Sequence, residues 1–380
     1  MLKHSIKDVP RYFVPHTSDC FQNAYGAVVS HLGLNPDLIL ADYLSFMFEA
    51  ETGYIGMNFL HKSSPSFEFT EEELNTSLGY AYLPAVSCFS NNREVEAKEI
   101  PDDKIGICNY FEDNQETAHK RLKQLIDSEI PVVVVVDLYY MSYHRAYGKE
   151  HGAHAVVVTG YNEEEGYVEL FDKYSLSGSD FDGRIPLNEF MLGRASENPV
   201  GSGSKPIRNM WMEINKKPQF FYNDQRWRSI LEESCRRMLG EKDILGCKCG
   251  LNVIESFRKE LLYKKKELPG EEVLLMYRYY YNSAFKIIAR SRARFGIFLT
   301  QLKEKLPERL IDEAVINLNE SSKKWEVISN VSLRLSMTKN INAIENLCSQ
   351  LEHIRESESR AVETLIRCST VPELGAVGLI

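Results

Sequence analysis

A run of five valines, Val132 to Val136, limits the fold of this chain more than any other feature. β-Branched residues favour extended backbone, and a short apolar run without polar alternation is typical of a strand that is buried on both faces. Two further apolar segments, residues 154–161 and 167–172, follow it and are joined by the turn sequence NEEEG. The sequence therefore predicts a buried strand followed by a β-hairpin.

The two halves of the chain carry different patterns. Up to about Lys217, helical segments mix with strands, and the segment RNMWMEI (208–214) is the last predicted strand. Beyond Lys217, helices are predicted over 225–238, 254–266, 271–303, 308–318 and 341–368. The sequence thus predicts an α+β domain over residues 1–217, with a helix packed on an antiparallel sheet. An all-α helical bundle over 218–371, which we expect to act as a lid, and a tail over 372–380 follow it.

Composition narrows the class of protein. The 380 residues carry a net charge of -9, which argues against a nucleic-acid partner bound through overall positive charge. The N-terminus lacks the apolar core of a signal peptide and the valine run is too short to span a bilayer, so we expect a cytoplasmic protein without a membrane partner. The eight cysteines are then expected to be mostly free. Cys247 and Cys249 form a C-x-C pair without a second pair, and no metal site is expected.

One cysteine lies where a reactive thiol is expected. Cys20 falls at the start of the predicted helix in SDCFQNAYGAVVSHLG (18–33), with Ser18 or Asp19 as its cap. The positive end of a helix dipole favours the thiolate form of a cysteine. A thiolate nucleophile also needs a histidine, and the histidine needs a carboxylate or amide that fixes its orientation. Without these partners, Cys20 would be an inert buried side chain.

The predicted hairpin supplies both partners. His154 opens its first strand and Asp172 ends the returning strand, so the two side chains are expected to lie on neighbouring strands. His151 and His144 are rival bases, but both lie outside regular structure. We favour His154 because a strand holds its position. His151 is an alternative that we expect near the mouth of the substrate site.

At these residues the sequence resembles a known class of enzymes. HAVVVTGY (154–161) resembles the H-A-V-x-x-x-G-Y strand that carries the catalytic histidine of papain-like cysteine enzymes, and the order Cys, His, Asp is also theirs. The closer resemblance, over residues 15–216, is to the butirosin-type acyltransferases, which have this fold in their N-terminal domain and carry a helical C-terminal domain. PVVVVVDLYYMSYH (131–144), HAVVVTGYNEEEGYVELFD (154–172) and FEAETGYIGMNFL (48–60) carry the resemblance.

The resemblance implies a function and a set of site residues. It implies a catalytic triad of Cys20, His154 and Asp172, and acyl transfer from an acyl carrier protein to a small amine. No intrinsic cofactor is implied, because the phosphopantetheine arm belongs to the carrier-protein substrate. Cysteine-protease-like amide synthases, such as that of closthioamide assembly, form a related group. A papain-like cysteine peptidase or amidase with the same triad is the alternative function, and a binding protein with a relic of the site is a third.

One part of the expected site, the second oxyanion donor, is not assigned by the sequence. Papain-like peptidases carry a glutamine shortly before the cysteine as an oxyanion donor, and VPHTSDC (14–20) has none. The peptide N–H of Cys20 is one expected donor, and the second is open. The candidates for oxyanion or substrate contacts are Thr17, Ser18, Gln22, Asn23, His151 and Tyr143.

Carrier proteins are acidic, so an acidic enzyme needs a local basic patch to bind one. Arg278, Lys286, Arg290 and Arg294 are spaced at multiples of four residues within one predicted helix. This spacing places them on one helix face, which is the candidate docking surface. The alternative is an ordinary solvated face with surface salt bridges.

Overall fold

The structure is a computed structural model that describes residues 2–16, 20–51, 53–56, 67–68, 105–174, 178–198, 206–222, 224–243, 248–267 and 270–370. The chain divides into two compact units. The first includes the described residues up to Leu40, residues 67–68 and those from Ile105 to Tyr222. The second includes a segment that begins at Ala41 and the helices from Asp224 onward. The sequence pattern does not predict that this segment belongs to the same unit as the helices. The domain boundaries predicted at residues 217 and 371 remain predictions.

The described residues contain strands of two to ten residues. They are β1 (Lys3–Ser5), β2 (Met47–Glu49), β3 (Tyr54–Gly56), β4 (Phe67–Glu68), β5 (Ile105–Tyr110), β6 (Val132–Asp137), β7 (Ala153–Asn162), β8 (Tyr167–Tyr174), β9 (Ser179–Pro186) and β10 (Trp211–Lys216). The first unit holds an eight-stranded sheet in the order β4-β5-β10-β6-β7-β8-β9, with β1 paired to β7. Its pairings are antiparallel except that of β4 with β5.

Helices cover this sheet. They are α1 (Cys20–His31), α2 (Pro36–Ile39), α3 (Gln115–Asp127) and α4 (Leu187–Arg194), and a 3-10 turn, Leu138–Tyr140, follows β6. α1 packs on β7 and β8, and α3 packs on β1, β6 and β7. All six residues of β6 are buried, as expected for a strand covered on both faces. The valine run and the hairpin that follows it in the sequence therefore form the centre of the sheet, as the sequence predicts.

A glycine lets the N-terminal segment lie directly against α1. A Cβ atom added at Gly26 would come within 2.0 Å of the Tyr12 ring, which is far inside van der Waals contact. The hydroxyl of Tyr12 donates to Asp37 of α2 over 2.7 Å. The segment around Tyr12 is thus held against the helix that Cys20 begins.

The second unit consists mainly of long helices. They are α5 (Asp224–Leu239), α6 (Leu251–Lys264), α7 (Glu271–Leu275), α8 (Asn282–Thr300), α9 (Glu308–Thr338) and α10 (Ala343–Thr370). α9 packs against both α8 and α10, and α10 also packs on α6 and α5. The strands β2 and β3 form a small hairpin, and its residues Phe48 and Ile55, together with Phe46 just before β2, belong to the hydrophobic core of these helices.

A π-helical turn, Met276–Tyr281, joins α7 to α8. Two of its tyrosines hold the small hairpin. Tyr281 donates its hydroxyl to the Gly53 carbonyl oxygen over 2.9 Å, and the Tyr280 hydroxyl contacts both the backbone nitrogen and the carbonyl oxygen of Ile55 at 2.7 Å. Tyr281 also stacks on Phe285, with ring centroids 5.6 Å apart. The tyrosine-rich segment therefore packs largely within the bundle.

One ion pair lies in the core of the helical unit. Arg292 donates from Nε and Nη2 to the two carboxylate oxygens of Glu358 over 2.7 and 3.0 Å, and both side chains are fully buried. Ser321 Oγ and Trp325 Nε1 donate to the same carboxylate. Four donors on one carboxylate offset the cost of removing its charge from water.

The predicted α+β class is confirmed, with an antiparallel sheet in the N-terminal part and helices after it. Several boundaries were wrong. The helix predicted over 308–318 continues to Thr338, the helix predicted over 271–303 is interrupted by the π-turn and ends at Thr300, and the last strand covers Trp211–Lys216. The predicted tail over 372–380 lies outside the described residues. In the part of the chain that the structure describes, no helix has the length and apolar character needed to cross a bilayer.

Candidate active site

The first candidate residue, Cys20, begins α1 as predicted. Its side chain is buried, with 6% of the residue exposed. The backbone N–H of Ala155, in β7, donates to Cys20 Sγ over 3.4 Å. The packing of α1 on β7 thus places the sulfur beside a peptide donor of the strand that carries His154. The proposed caps Ser18 and Asp19, and the oxyanion candidate Thr17, lie outside the described residues.

The hairpin register brings His154 and Asp172 together. Val157 pairs with Phe171, so the next residues of the ladder, Val156 and Asp172, share the other face of the sheet. His154 is on that face by alternation along the strand. His154 Nε2 lies 2.8 Å from Asp172 Oδ1, and both side chains are almost completely buried.

The charges around His154 favour its protonated form. Burial lowers the pKa of His154, but the negative charges of Asp172 and Cys20 and the hydrogen bonds to both outweigh burial and raise it to about 10. Because Nε2 faces Asp172, Nδ1 is the ring nitrogen left for the cysteine. The Cys20 sulfur and the Asp172 carboxylate therefore both interact electrostatically with the His154 imidazole.

A tyrosine, Tyr143, also interacts with this group of side chains. Tyr143 donates its hydroxyl to Asp172 Oδ2 over 3.0 Å, and its ring stacks on Phe181 with centroids 4.2 Å apart. Burial, followed by the negative charges of Asp172 and Cys20, raises the pKa of Tyr143 well above its usual value. The hydroxyl stays protonated and its one proton is directed at Asp172. As an oxyanion donor, Tyr143 would have to give up that bond, so the geometry favours a positioning role.

The two amide candidates of α1 differ. Asn23 Oδ1 accepts from the backbone N–H of Val14 over 3.0 Å, and Asn23 Nδ2 donates to the Lys173 carbonyl oxygen over 2.5 Å. Asn23 thus ties α1 to the strand residue next to Asp172. Gln22 is also buried, two residues from the sulfur. The second oxyanion donor stays open between Gln22 and the segment before Cys20.

The rival histidines occupy different environments. His144 is buried, its Nδ1 accepts from the Ala146 N–H over 3.1 Å, and its ring centroid lies 6.1 Å from that of His154. His151 pairs with another carboxylate, Asp137, at 2.7 Å and not with Asp172. Sequence reasoning named Asn23 only as a candidate for oxyanion or substrate contacts. It did not single out Asp137, although this residue is a charged side chain that ends an apolar run.

The four cations of the predicted docking surface do not share one environment. Arg278 is exposed, Lys286 and Arg290 are half-buried, and Arg294 is buried. The π-turn also breaks the four-residue spacing between Arg278 and α8. Arg294 is therefore unavailable as an exposed docking residue, because its side chain packs inside the unit. For the other three residues, docking remains a prediction.

Among the residues with described positions, no cluster of three histidine, cysteine or acidic side chains is arranged to hold a metal ion. The five cysteines that the structure describes with their side chains, Cys20, Cys235, Cys249, Cys348 and Cys368, are free and buried. Burial is the main reason that the pKa values of Cys235, Cys249, Cys348 and Cys368 are raised. These four thiols lie in the helical unit and stay protonated. Cys20 alone among the five contacts a histidine–carboxylate pair.

The arrangement can generate a nucleophilic thiolate. A buried cysteine beside an imidazolium that is fixed by a carboxylate is the geometry that covalent catalysis by cysteine requires. The contacts of Cys20, His154 and Asp172 therefore have the form that such chemistry requires. Residues 20–173 match the family model described as butirosin biosynthesis protein H, N-terminal. The match begins at Cys20 and ends one residue after Asp172, so it contains all three residues, and it supports a relationship to that family over this part of the chain. No curated protein matches the chain.

Proposed function

We propose that this chain is a cysteine-dependent acyltransferase that moves an acyl group from a carrier-protein thioester to an amine in the cytoplasm. The observation that carries the proposal is the interaction of both Cys20 and Asp172 with one buried imidazole, that of His154. The family match adds support, because the matched model describes a protein of butirosin biosynthesis. Amide formation on an antibiotic precursor is the corresponding reaction class.

In the first half-reaction, the Cys20 thiolate attacks the carbonyl carbon of the phosphopantetheine thioester. The new C–S bond to Cys20 forms, the old C–S bond breaks, and the pantetheine sulfur leaves with the proton of the His154 imidazolium. Exchange of one thioester for another is nearly neutral in energy, so the enzyme needs only to activate and position the sulfur. Asp172 keeps the ring oriented throughout.

In the second half-reaction, an unprotonated amine attacks the acyl–Cys20 thioester. The C–N bond forms, the bond to Cys20 breaks, and the departing sulfur becomes a thiolate again. His154 takes the surplus proton from nitrogen, which restores the imidazolium beside the thiolate. The Ala155 N–H donates to the sulfur and stabilises its negative charge.

The direct test is the mass of the intact protein after mixing with octanoyl-pantetheine or with an octanoyl carrier protein. We expect one octanoyl adduct, located on Cys20 by peptide mapping, and no adduct on Cys20→Ala. Cys235→Ala is the matched control, because Cys235 is another buried free thiol and should leave the adduct unchanged. Addition of an amine should discharge the adduct as an amide.

Two results would reject the proposal. One is an enzyme that shows no adduct on Cys20 with either thioester. The other is cleavage of peptide substrates by the Cys20 enzyme without transfer to amines, which would identify a cysteine peptidase or amidase instead.

For the carrier, we retain Arg278, Lys286 and Arg290 as candidate docking residues. Reversal of Arg278 and Arg290 to glutamate should raise KM for the octanoyl carrier protein and leave KM for octanoyl-pantetheine unchanged, because the small thioester has no acidic surface. Equal kinetics with the carrier-bound donor would remove these residues from the docking surface.

A further inference from the structure

A second histidine–carboxylate pair lies at the junction of β6 and β7. His151 Nδ1 is 2.7 Å from Asp137 Oδ2. The Asp137 carboxylate is fully buried, whereas the side chain of His151 is 34% exposed. This pair is separate from the one made by His154 and Asp172, and the proposed mechanism does not use it.

Asp137 is held rigidly by its donors. The backbone N–H groups of Tyr139 and Gly152 donate to Oδ1 over 3.1 and 3.0 Å. Ser196 Oγ donates to Oδ2 over 2.7 Å, beside the contact with His151. Of these four donors, only the imidazole of His151 can carry a full positive charge. The carboxylate therefore favours the tautomer with hydrogen on Nδ1, which leaves Nε2 as the acceptor nitrogen of the ring.

The ring of His151 is fixed as well as oriented. It stacks on Tyr139, with centroids 4.3 Å apart and planes 16° from parallel, and the Tyr140 ring lies 6.3 Å away. Tyr139 and Tyr140 are both partly exposed. Among the described residues, none provides a hydrogen-bond partner for His151 Nε2. The pair thus presents one basic nitrogen to solvent beside two aromatic rings, which are surfaces that suit a cation.

This nitrogen is near the proposed reaction centre along the chain. Val136 pairs with His154 in the sheet, and Asp137 pairs with Ala153. His151 precedes His154 by three residues, so their Cα atoms are separated by at most about 11 Å. The His151–Asp137 pair and the start of the strand that carries His154 therefore lie at the same end of the β6–β7 ladder.

We propose that the His151–Asp137 pair is the acceptor subsite, which binds the amine substrate in its ammonium form and removes one proton. This inference rests on the proposed function. The N–H bond of the ammonium breaks, its proton moves to His151 Nε2, and the lone pair left on nitrogen becomes free to attack the acyl–Cys20 thioester. His151 later releases the proton to solvent. Such a base is needed because alkyl amines, like the lysine side chain, are almost entirely protonated at neutral pH.

Two acceptors separate this role from a structural one. Ethylamine needs deprotonation at neutral pH, whereas hydroxylamine is already largely unprotonated. In His151→Gln, we expect amide formation with ethylamine to fall about a hundredfold, as for loss of a general base. Formation of the octanoyl adduct on Cys20 and of octanoyl hydroxamate should be unchanged. The loss with ethylamine should also shrink as the pH rises, because more of the amine is then unprotonated.

Two further variants complete the experiment. Ser196→Ala removes one donor from Asp137 and should give a smaller loss with the same preference for hydroxylamine. His353→Gln is the matched control, because His353 is an exposed histidine of the helical unit. It should behave as the wild type.

Three outcomes would overturn the inference. They are an unchanged rate with ethylamine in His151→Gln, an equal loss with both acceptors, and a wild-type enzyme that makes the hydroxamate but no ethylamide. Failure of the wild type to form any adduct on Cys20 is a different result, which would reject the proposed function itself.

Discussion

Asn23 Nδ2 donates to the carbonyl oxygen of Lys173, one residue beyond Asp172, while Asn23 Oδ1 accepts from the N–H of Val14. One buried amide thus connects the helix of the nucleophile, the strand of the carboxylate and the N-terminal segment. This contact fixes the register between α1 and β8 one helical turn from Cys20.

Replacement of Asn23 by alanine should therefore affect stability and reactivity together. It leaves the Val14 N–H and the Lys173 carbonyl without their partner, which should lower the free energy of unfolding by about 1–3 kcal/mol. Urea denaturation measures this loss, and the rate of Cys20 alkylation by iodoacetamide should fall in the folded variant. Asn252→Ala, at an exposed position of α6, is the control. Full alkylation rates in Asn23→Ala would contradict the positioning role.

The raised pKa of His154 gives stability a specific pH dependence. The folded-state value is about 10, against an ordinary value of 6.5. A raised folded-state pKa contributes stability that is fully present below pH 6.5 and is lost as the pH rises towards 10. The stability advantage of the wild type over His154→Gln should shrink across this window. Denaturation at several pH values measures it, and a constant difference would contradict the assignment.

The same charges predict how His154 itself titrates. Because the negative charges of Asp172 and Cys20 both raise the pKa of His154, Cys20→Ser should lower it, and Asp172→Asn should lower it as well. An NMR titration of the His154 imidazole measures both changes. His353, which is exposed, provides an internal reference in the same spectra. An identical His154 titration in all three proteins would exclude the coupled arrangement.

Tyr143→Phe removes one hydroxyl and keeps the stacking on Phe181. Since Asp172 then loses a donor on Oδ2, we expect a lower kcat with an unchanged KM, and a loss of about 1–3 kcal/mol in stability for a hydrogen bond to a charged group. Steady-state kinetics with octanoyl-pantetheine and urea denaturation measure the two effects. Tyr147→Phe is the control, because Tyr147 is 48% exposed in the same segment. A change in KM alone would assign Tyr143 to substrate binding.

In the helical unit, Glu358→Gln should be strongly destabilising. It leaves the Arg292 guanidinium buried without a counter-charge, at a cost of about 3–5 kcal/mol. Replacing both partners, with Arg292→Met and Glu358→Leu, should restore much of this stability, because the unpaired charge is gone. Urea denaturation followed by circular dichroism compares the three proteins. A double variant less stable than Glu358→Gln would show that the pair stabilises the fold by more than charge compensation.

The sequence predicted the parts of the fold that follow from strong local patterns. The valine run and the hairpin with Asp172 were found because β-branched runs and a turn sequence leave few alternatives. The two partners of Cys20 followed from that hairpin. Strand β5 was not singled out, because its pattern is weaker.

The end of α9 was predicted too early, at residue 318, and this error has a physical reason. Beyond Leu318 the buried face of α9 carries Ser321, Ser329 and Ser332. Because these side chains are polar, apolar residues no longer recur at the helical interval in this part of the sequence. Ser329 and Ser332 donate to the backbone carbonyl oxygens of Asn282 and Tyr277. These bonds exist only once the helices pack, so no local pattern could predict them. The pairing of His151 with Asp137 was not predicted for a similar reason, since the loop that carries His151 follows no regular pattern and its contact with Asp137 exists only in the folded sheet.

The π-turn at Met276–Tyr281 makes the length of that segment as important as its composition. Deleting one residue there would allow regular α-helix to continue from α7 into α8, but it would rotate one side of the junction by about 100° relative to the other. The hydroxyls of Tyr280 and Tyr281 could not then both reach the backbone of Ile55 and Gly53. A shortened helix would be locally more regular, yet the small hairpin would lose its anchor.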